Sequence, residues 1–324
     1  MKNRRRIQKR RRRRNRRKRL LLCVLAEFLA FAVLGIMLWG NRGISYSVAN
    51  IAGIFARPAV EDVDLSGLKS QEAVLMDVKS GEVIGEWNAD QQMYPASMTK
   101  VMTAIVAMES ISNLNREITM PSDIYDALYR EGASQAGFLA GETVTARDLL
   151  YGVMLPSGAE CCLALAEDIS GSEEAFVEKM NEKAKKLGME STHFCDTTGL
   201  HNPDHYSTAR DIAVLMRYAL HNSTFVEIAE SASHTSDATD LHPDGLTYYS
   251  TLFKYISDAS VTGGEILGGK TGYTGEAGHC LASFAEIDGR MYILVTAGAF
   301  DGTNQTPHIQ DAFTVYNRLG AAVE

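Results

Sequence analysis

The sequence contains little cysteine, proline and tryptophan: its 324 residues include 5 Cys, 7 Pro and 2 Trp. The cysteine spacing does not resemble a small disulfide-rich scaffold, and no pair has metal-ligand spacing with histidines nearby. So little proline, combined with 45% hydrophobic residues, excludes a disordered or low-complexity chain. The length suits one large domain or two closely packed ones.

Acidic side chains are absent from residues 1–19, which hold 14 of the 32 basic ones. From Asn41 onward the balance reverses, because 18 basic and 39 acidic side chains give a formal net charge of −21. A body this acidic repels a phosphate backbone, so we expect no nucleic-acid partner. The basic block alone is also typical of a nucleic-acid-binding patch. Because it directly adjoins an apolar segment, we favour a role at a membrane.

An apolar run of 21 residues, Leu20–Gly40, follows the basic block and is interrupted only by Glu27. This is about the length that crosses a bilayer as a helix. The positive-inside rule then places residues 1–19 in the cytoplasm and the rest of the chain outside, as in a single-pass protein of the cell membrane. The alternative is a cleaved signal peptide with Ser47-Val48-Ala49 as its processing site, which would give a secreted protein.

These features predict four parts of the chain: a basic cytoplasmic segment (1–19), a transmembrane anchor (20–40), a stalk (41–67) and a folded domain (68–324). The four cysteines of that domain leave two states open, disulfide bonds or buried thiols, and their sparse spacing favours buried thiols. They are Cys161, Cys162, Cys195 and Cys280.

Hydrophobic periodicity predicts strands at both ends of the domain and helices between them. Runs 73–78 and 82–87 surround a glycine turn, and runs 280–287 and 291–299 flank Asp288-Gly289, so each pair predicts a hairpin. Helical spacing occurs at 98–111, 146–151, 161–169, 173–187, 208–220 and 307–319. This order predicts an α/β chain of the α+β type: a mostly antiparallel sheet flanked by helices, with an all-helical part inserted.

Residues 95–100, Pro-Ala-Ser-Met-Thr-Lys, place a hydroxyl and an amine three positions apart at the start of a predicted helix. Side chains at i and i+3 share a helix face, so Lys100 can approach the Ser97 hydroxyl. A lysine serves as a base only when burial or neighbouring cations lower its pKa. The same spacing recurs at Ser66 and Lys69, but no apolar helix follows there, so the context favours Ser97.

Residues 268–275, Gly-Gly-Lys-Thr-Gly-Tyr-Thr-Gly, form the second candidate motif. Glycines around Lys270-Thr271 suit an edge strand that a substrate backbone approaches closely. Lys270 offers a cation and Thr271 a hydroxyl, as a substrate ending in a carboxylate requires. The alternatives are a turn with a solvated lysine, or a phosphate loop, whose Gly-x-x-x-x-Gly-Lys spacing is absent.

Ser-x-x-Lys and Lys-Thr-Gly motifs mark penicillin-binding proteins and class A β-lactamases, with a third motif between them. Here the two lie 173 residues apart in that order, and residues 154–160, Met-Leu-Pro-Ser-Gly-Ala-Glu, occupy the middle position. Further matching segments are 131–134, 141–152, 198–201 and 205–211. Residues 70–320 therefore resemble the low-molecular-mass penicillin-binding proteins, the D-alanyl-D-alanine carboxypeptidases of peptidase family S11.

The resemblance implies a β-lactamase/transpeptidase-like fold and a serine-type carboxypeptidase that cleaves between the terminal D-alanines of peptidoglycan stem peptides. Ser97 would be the nucleophile, Lys100 the base that takes its proton, and Ser157 a proton relay. Water would then hydrolyse the acyl-enzyme. β-Lactam antibiotics would acylate the same serine, and no metal or organic cofactor is implied.

Substrate binding is assigned by the same resemblance to the strand of the third motif. Lys270 and Thr271 would hold the terminal carboxylate. Gly272 and Tyr273, the next two residues of the strand, would also belong to the substrate-binding site. Backbone N–H groups of Ser97 and Tyr273 would form the oxyanion hole.

Three departures from the family pattern stand out. Position 159 is alanine where the middle motif has asparagine, and residues 299–310 lack the arginine that helps relatives to bind the carboxylate. The chain also stops soon after its last predicted helix, without the extra C-terminal β domain of many relatives. Two other hypotheses remain: a β-lactamase, which would need a carboxylate-held water for fast deacylation, and a catalytically weak wall-associated penicillin-binding protein.

Overall fold

The computed structural model describes residues 62–300, Gly302 and 306–323, and a six-stranded antiparallel sheet lies at their centre. The described strands are β1 (Glu72–Asp77), β2 (Val83–Trp87), β3 (Glu117–Thr119), β4 (Thr143–Thr145), β5 (Ser233–Thr235), β6 (Thr247–Tyr249), β7 (Ser260–Val261), β8 (Gly264–Thr274), β9 (Gly278–Ile287) and β10 (Arg290–Ala299). The described α-helices are α1 (Thr99–Ser110), α2 (Tyr125–Arg130), α3 (Ala146–Met154), α4 (Ala159–Ser170), α5 (Glu173–Leu187), α6 (Ala209–Ala219), α7 (Ser223–Glu230) and α8 (Pro307–Val323). The predicted sheet, hairpins and inserted helices are confirmed.

The central sheet has the order β2-β1-β10-β9-β8-β7, so the first strand of the domain pairs with the last. Both predicted hairpins are present, β1–β2 and β9–β10. At the second turn Asp288 and Gly289 have φ of +48° and +71°, the left-handed conformations that a tight hairpin turn requires. The Asp-Gly pair predicted this turn because Asp and Gly adopt positive φ more readily than most residues.

Both faces of the sheet are covered, because successive residues of its strands point to opposite sides. Val74 of β1 and Val295 of β10 face the helical part, whereas Leu75 and Leu294 face α8. Every residue of β1 is buried. The sheet is thus sandwiched between α8 and the inserted helices, as in other folds with helices on both sides of a sheet.

Helix α1 lies at the centre of the helical part, and its residues Thr99–Met108 are all buried. A helix that is buried all round must be enclosed by other elements, and α3, α4, α5 and α6 pack around it. Hydroxyl caps start three of the helices: Thr145, Ser172 and Thr208 each accept an N–H from the residue three positions on.

The structure departs from the predictions in its short strands. The two-stranded sheets β3–β4 and β5–β6 were not predicted, because strands of three residues are too short to show alternation. Part of the segment predicted as a stalk packs against the sheet. Val63 and Leu65 are buried, and the Val63 N–H donates to the Ile84 carbonyl at 2.6 Å.

The predicted cytoplasmic segment, the apolar run Leu20–Gly40 and most of the predicted stalk lie outside the described residues. Within the described part of the chain, no helix has both the length and the apolar character needed to cross a membrane.

Candidate active site

Ser97 lies in a single 3₁₀ turn, Ala96–Met98, that leads directly into α1. Ala96 has φ of +46°, a left-handed conformation that is strained for alanine, and such strain clusters at functional sites. Two glycines allow the close packing around this turn. A Cβ at Gly199 would collide with the Ala96 carbonyl, and a Cβ at Gly272 would lie 3.0 Å from the Ser97 nitrogen.

Lys100 lies one helical turn after Ser97, as its spacing predicts, and is 2% exposed. Its Nζ lies 3.2 Å from Ser97 Oγ and donates to the Thr198 carbonyl at 2.6 Å. Burial lowers the pKa of Lys100, against the opposing effect of Cys162, Asp196 and other nearby groups. The neutral amine, which can accept a proton, is therefore more accessible than in a solvated lysine.

The segment whose carbonyl accepts from Lys100 is fixed by a half-buried carboxylate, Asp196. It accepts from the N–H groups of Thr198 and Gly199, both at 2.6 Å, and His205 lies 3.3 Å away. Burial opposes ionisation here, but His205 and the two N–H groups together lower the pKa of Asp196 to about 2. The Thr198 carbonyl is thus held in place for Lys100, a role that sequence reasoning did not assign.

A second serine–lysine pair faces the first. Lys270 Nζ donates to Ser157 Oγ at 3.0 Å, although the two residues are 113 positions apart in the chain. Lys270 is fully buried, and burial, with the nearby charge of Lys100, holds its pKa well below the usual value. Ser157 has φ of +68°, a strained conformation in the turn between α3 and α4.

A groove of about 560 Å³ is lined by the serines of both pairs. Its described lining includes Ser97, Ser134, Ser157, Thr251, Thr271, Gly272, Tyr273, His279 and His308. Strand β7 pairs with β8 only at Gly264 and Glu265, before β8 reaches Lys270. The groove therefore follows the edge of β8, where backbone groups can pair with an extended peptide.

Ala159, the position of the missing asparagine, is buried at the start of α4, and its N–H donates to the Ser134 carbonyl at 2.8 Å. The neighbouring Glu160 does not replace the amide. Its Oε1 accepts from the N–H groups of Ala136 and Gly137, at 2.7 and 2.8 Å. Glu160 therefore fixes the loop that carries Ser134 to the groove.

The structure brings all seven predicted site residues to one place: Ser97, Lys100, Ser157, Lys270, Thr271, Gly272 and Tyr273. Ser66, the alternative serine, lies elsewhere in a turn, where its hydroxyl donates to Asp64 at 2.9 Å. Thr251 was missed. Its hydroxyl lies 2.6 Å from that of Thr271, and nothing in the irregular sequence around it signalled this contact.

Cysteines take no part in disulfides among the described residues. Cys161, Cys162 and Cys280 are buried free thiols, and Cys195 is a half-buried one. The interpretation as buried thiols is confirmed for Cys161, Cys162 and Cys280. Within the same residues, no group of three or more His, Cys, Asp and Glu side chains could hold a metal ion.

Two serine–lysine pairs whose serines line one groove and whose lysines are buried, beside an antiparallel sheet flanked by helices, define the β-lactamase/transpeptidase-like class of serine enzymes. A family model, peptidase S11, D-alanyl-D-alanine carboxypeptidase, matches residues 59–301. The chain belongs to this family.

Individual relatives agree with that assignment. The chain is 34% identical over 232 residues to D-alanyl-D-alanine carboxypeptidase DacF of Bacillus subtilis, which covers 71% of this chain and 58% of that protein. It is similar in structure to the DD-transpeptidase of Streptomyces K15, with a TM-score of 0.70, 30% identity, and coverage of 78% of this chain and 98% of that one. A D-alanyl-D-alanine carboxypeptidase from Mycobacterium tuberculosis matches with a TM-score of 0.68, 27% identity, and coverage of 83% and 97%.

The match to the DacF protein spans little more than half of that relative's length. The same is true of DacD of Escherichia coli, which is 35% identical over 237 residues that cover 70% of this chain and 57% of that protein. The shared part contains both serine–lysine pairs, since the family model spans residues 59–301.

Proposed function

We propose that this protein is a serine-type D-Ala-D-Ala carboxypeptidase that acts on peptidoglycan stem peptides and binds penicillin covalently. One observation carries the proposal: a buried lysine amine 3.2 Å from the hydroxyl of a serine that lines a groove. A nucleophile and its base within hydrogen-bond reach are the signature of covalent catalysis. Membership of the S11 family supports the choice of substrate.

Acylation begins when Ser97 Oγ attacks the carbonyl carbon of the bond between the two terminal D-alanines. Neutral Lys100 takes the hydroxyl proton. An ester bond then links Ser97 Oγ to the carbonyl carbon of the penultimate D-alanine. Backbone N–H groups of Ser97 and Tyr273 stabilise the oxyanion, and the contact of Gly272 with the Ser97 nitrogen supports this placement. Such donors are typically worth 10² or more in rate.

The leaving amine needs a proton as the peptide bond breaks, and we assign its delivery to Ser157. The Ser157 hydroxyl passes a proton to the amine and takes in its place the proton that Lys100 accepted from Ser97, so Lys100 is neutral again before deacylation. Lys270 holds the Ser157 hydroxyl in position for this relay. Thr271 and Lys270 hold the carboxylate of the departing D-alanine. Water then attacks the ester, Lys100 again acts as the base, and the shortened peptide leaves Ser97 free.

A β-lactam meets the same nucleophile. Attack of Ser97 on the lactam carbonyl opens the four-membered ring, but the leaving nitrogen stays attached to the acyl group. The acyl-enzyme therefore persists, because the departing group continues to occupy the groove that water must enter.

The experiment is to label the purified domain with fluorescent penicillin and to measure D-alanine release from a peptide ending in D-Ala-D-Ala. Stable labelling with peptide hydrolysis supports the carboxypeptidase. Rapid loss of the label indicates a β-lactamase, and stable labelling without hydrolysis indicates the catalytically weak protein. Absence of labelling contradicts the proposed nucleophile.

For the location of the protein, we propose a single-pass arrangement in the cell membrane, with residues 1–19 cytoplasmic and the domain outside. The motivation is the apolar run Leu20–Gly40 behind a basic segment. The mature protein is expected in the membrane fraction and resistant to extraction by high salt. A soluble exported form that begins near Asn50 would show that the run is a signal peptide instead.

A further inference from the structure

The tip of the hairpin between β8 and β9 takes no part in the mechanism above. Thr274 of β8 pairs with Gly278 of β9, so residues 275–277 form this tip. The Ala277 N–H donates to Thr274 Oγ1 at 3.0 Å, which fixes the turn. Glu276 lies at the tip, and its side chain is 51% exposed. A carboxylate therefore has a defined place just beyond the end of β8.

The proposed function sets the direction in which a peptide lies along β8. It places the terminal carboxylate at Lys270 and Thr271 and the scissile carbonyl at the N–H of Tyr273. The part of the peptide before the scissile bond must then continue beyond Tyr273, toward Glu276. An extended chain advances about 3.3 Å per residue. The side chain of the residue before the two D-alanines therefore comes within reach of Glu276.

Glu276 also contacts residues next to the segment that carries the nucleophile. Its Oε2 lies 3.9 Å from His201 Nδ1. The ring of His201 stands edge-on to the ring of Tyr94, with 4.7 Å between their centroids, and Tyr94 is three positions before Ser97. Among the described residues, no lysine or arginine forms an ion pair with Glu276. The carboxylate is therefore open to a cation that a ligand brings.

A cavity of about 240 Å³ adjoins this carboxylate. Glu276, Tyr94 and Phe300 are among its described lining residues, so it combines a carboxylate with two aromatic rings. Such rings attract both the hydrocarbon stem and the charge of a cationic side chain. Glu72 also lines the cavity, but it is 4% exposed and burial raises its pKa to about 7, so its charge is costly to maintain. The exposed Glu276 is therefore the better partner for a cation.

We propose that Glu276 is a specificity-determining residue, which binds an ammonium group on the side chain of the residue before the two D-alanines. The hydrocarbon stem of that side chain packs on the ring of Tyr94. A peptide whose amine is acylated keeps the stem but loses the charge, so it binds more weakly. The proposal rests on the proposed function, because that function sets the direction of the peptide along β8.

The experiment compares two Nα-acetylated peptides, Lys-D-Ala-D-Ala with a free side-chain amine and the same peptide with that amine acetylated. We expect kcat/KM for D-alanine release to be higher for the free amine by about three- to fivefold, the range of an exposed ion pair, with the difference mainly in KM. Salt screens a contact of this kind, so the ratio of the two kcat/KM values should fall in about 0.5 M sodium chloride.

Variants of Glu276 test the charge directly. Glu276→Gln keeps the size of the side chain and should make the two peptides equal in kcat/KM. Glu276→Lys should invert the preference, because the free amine then meets a like charge. Glu265→Gln is the matched control: Glu265 is an exposed glutamate near the other end of β8, so the ratio should stay that of the parent.

Two results would overturn the proposal: a parent protein that does not prefer the free amine, or a preference that Glu276→Gln leaves unchanged. Penicillin labelling of the parent and of every variant is measured in parallel and reports an intact active site. Labelling of Ser97 with equal hydrolysis of the two peptides refutes the role of Glu276 alone. Absence of both labelling and hydrolysis in the parent refutes the proposed function, and the role of Glu276 with it.

Discussion

The two serine–lysine pairs that face each other across the groove are built in opposite ways. Ser97 and Lys100 are three positions apart on one helical turn, whereas Ser157 and Lys270 are 113 positions apart and meet through the fold. A local pair survives wherever its helix forms. The distant pair exists only while the turn before α4 and strand β8 are packed together, so it reports the integrity of the whole domain.

The surroundings of the two lysines also differ. Lys100 has Cys162, Asp196 and other groups nearby that raise its pKa against the effect of burial. Lys270 has Lys100 beside it, which adds to the effect of burial. The largest effect of a neighbouring charge therefore raises the pKa of Lys100 and lowers that of Lys270.

Removing the nucleophile should have the largest effect and should separate the two serines. Ser97→Ala is expected to abolish penicillin labelling and to lower peptide hydrolysis by at least about 10³-fold, because no other groove hydroxyl has Lys100 at 3.2 Å. Ser157→Ala should still be labelled, at a reduced rate. Ser66→Ala is the control at the same Ser-x-x-Lys spacing and should behave as the parent. Labelling that survives Ser97→Ala would contradict the mechanism.

The pH dependence of acylation should follow the local pair. Lys100 must be neutral to take the proton, and burial lowers its pKa from 10.5, so the rate should fall as the pH drops through that lowered value. Glu160 contributes a negative charge that raises the pKa of Lys100. Glu160→Gln should therefore move this decline to lower pH, by up to about one unit.

The plateau rate of Glu160→Gln should stay near that of the parent, because a glutamine oxygen can accept the N–H groups of Ala136 and Gly137. Glu160→Ala is the comparison, since it loses both contacts and should lower the plateau as well. Stopped-flow acylation across pH distinguishes the two. An unmoved profile in Glu160→Gln would show that the charge does not reach Lys100.

Restoring the asparagine of the family's middle motif at position 159 should raise the rate of peptide hydrolysis. Ala159→Asn adds a donor and an acceptor where alanine supplies neither, and we expect peptide hydrolysis to rise by up to about tenfold if one hydrogen bond of about 1 kcal/mol is recovered. Ala159→Ser is the smaller polar control. An unchanged or lower rate would mean that the site is arranged around alanine.

A substitution at Glu72, which lies outside both serine–lysine pairs, should change the free energy of unfolding but not the activity. Burial raises the pKa of Glu72 from 4.5 to about 7. Between pH 4.5 and 7 the Glu72 carboxyl is ionised in the unfolded chain but still protonated in the folded one. Its contribution to stability is therefore complete below pH 4.5 and is lost as the pH rises through 7. Glu72→Gln should therefore match the parent at pH 4 and exceed its free energy of unfolding by about 2 kcal/mol at pH 8. Urea unfolding at the two pH values measures this, and an equal difference at both would refute the shift.

The local pair could be predicted from the sequence because its geometry is set by helical spacing, and the Asp288-Gly289 turn because its backbone conformation selects these residues. The distant pair was reached only through resemblance to a family, since no periodicity relates Ser157 to Lys270. The contact of Thr251 with Thr271 was missed. The segment around Thr251, residues 250–255, has no repeating pattern, and the contact depends on the finished fold.

The order of strands in the sheet has a consequence for synthesis. Strand β1 begins at Glu72, but its partner β10 ends at Ala299, so more than two hundred residues must be made between the two halves of one ladder. Helices of the inserted part depend on contacts closer in sequence and can form sooner. The central sheet of a growing chain therefore stays incomplete until nearly all of the domain has been synthesised.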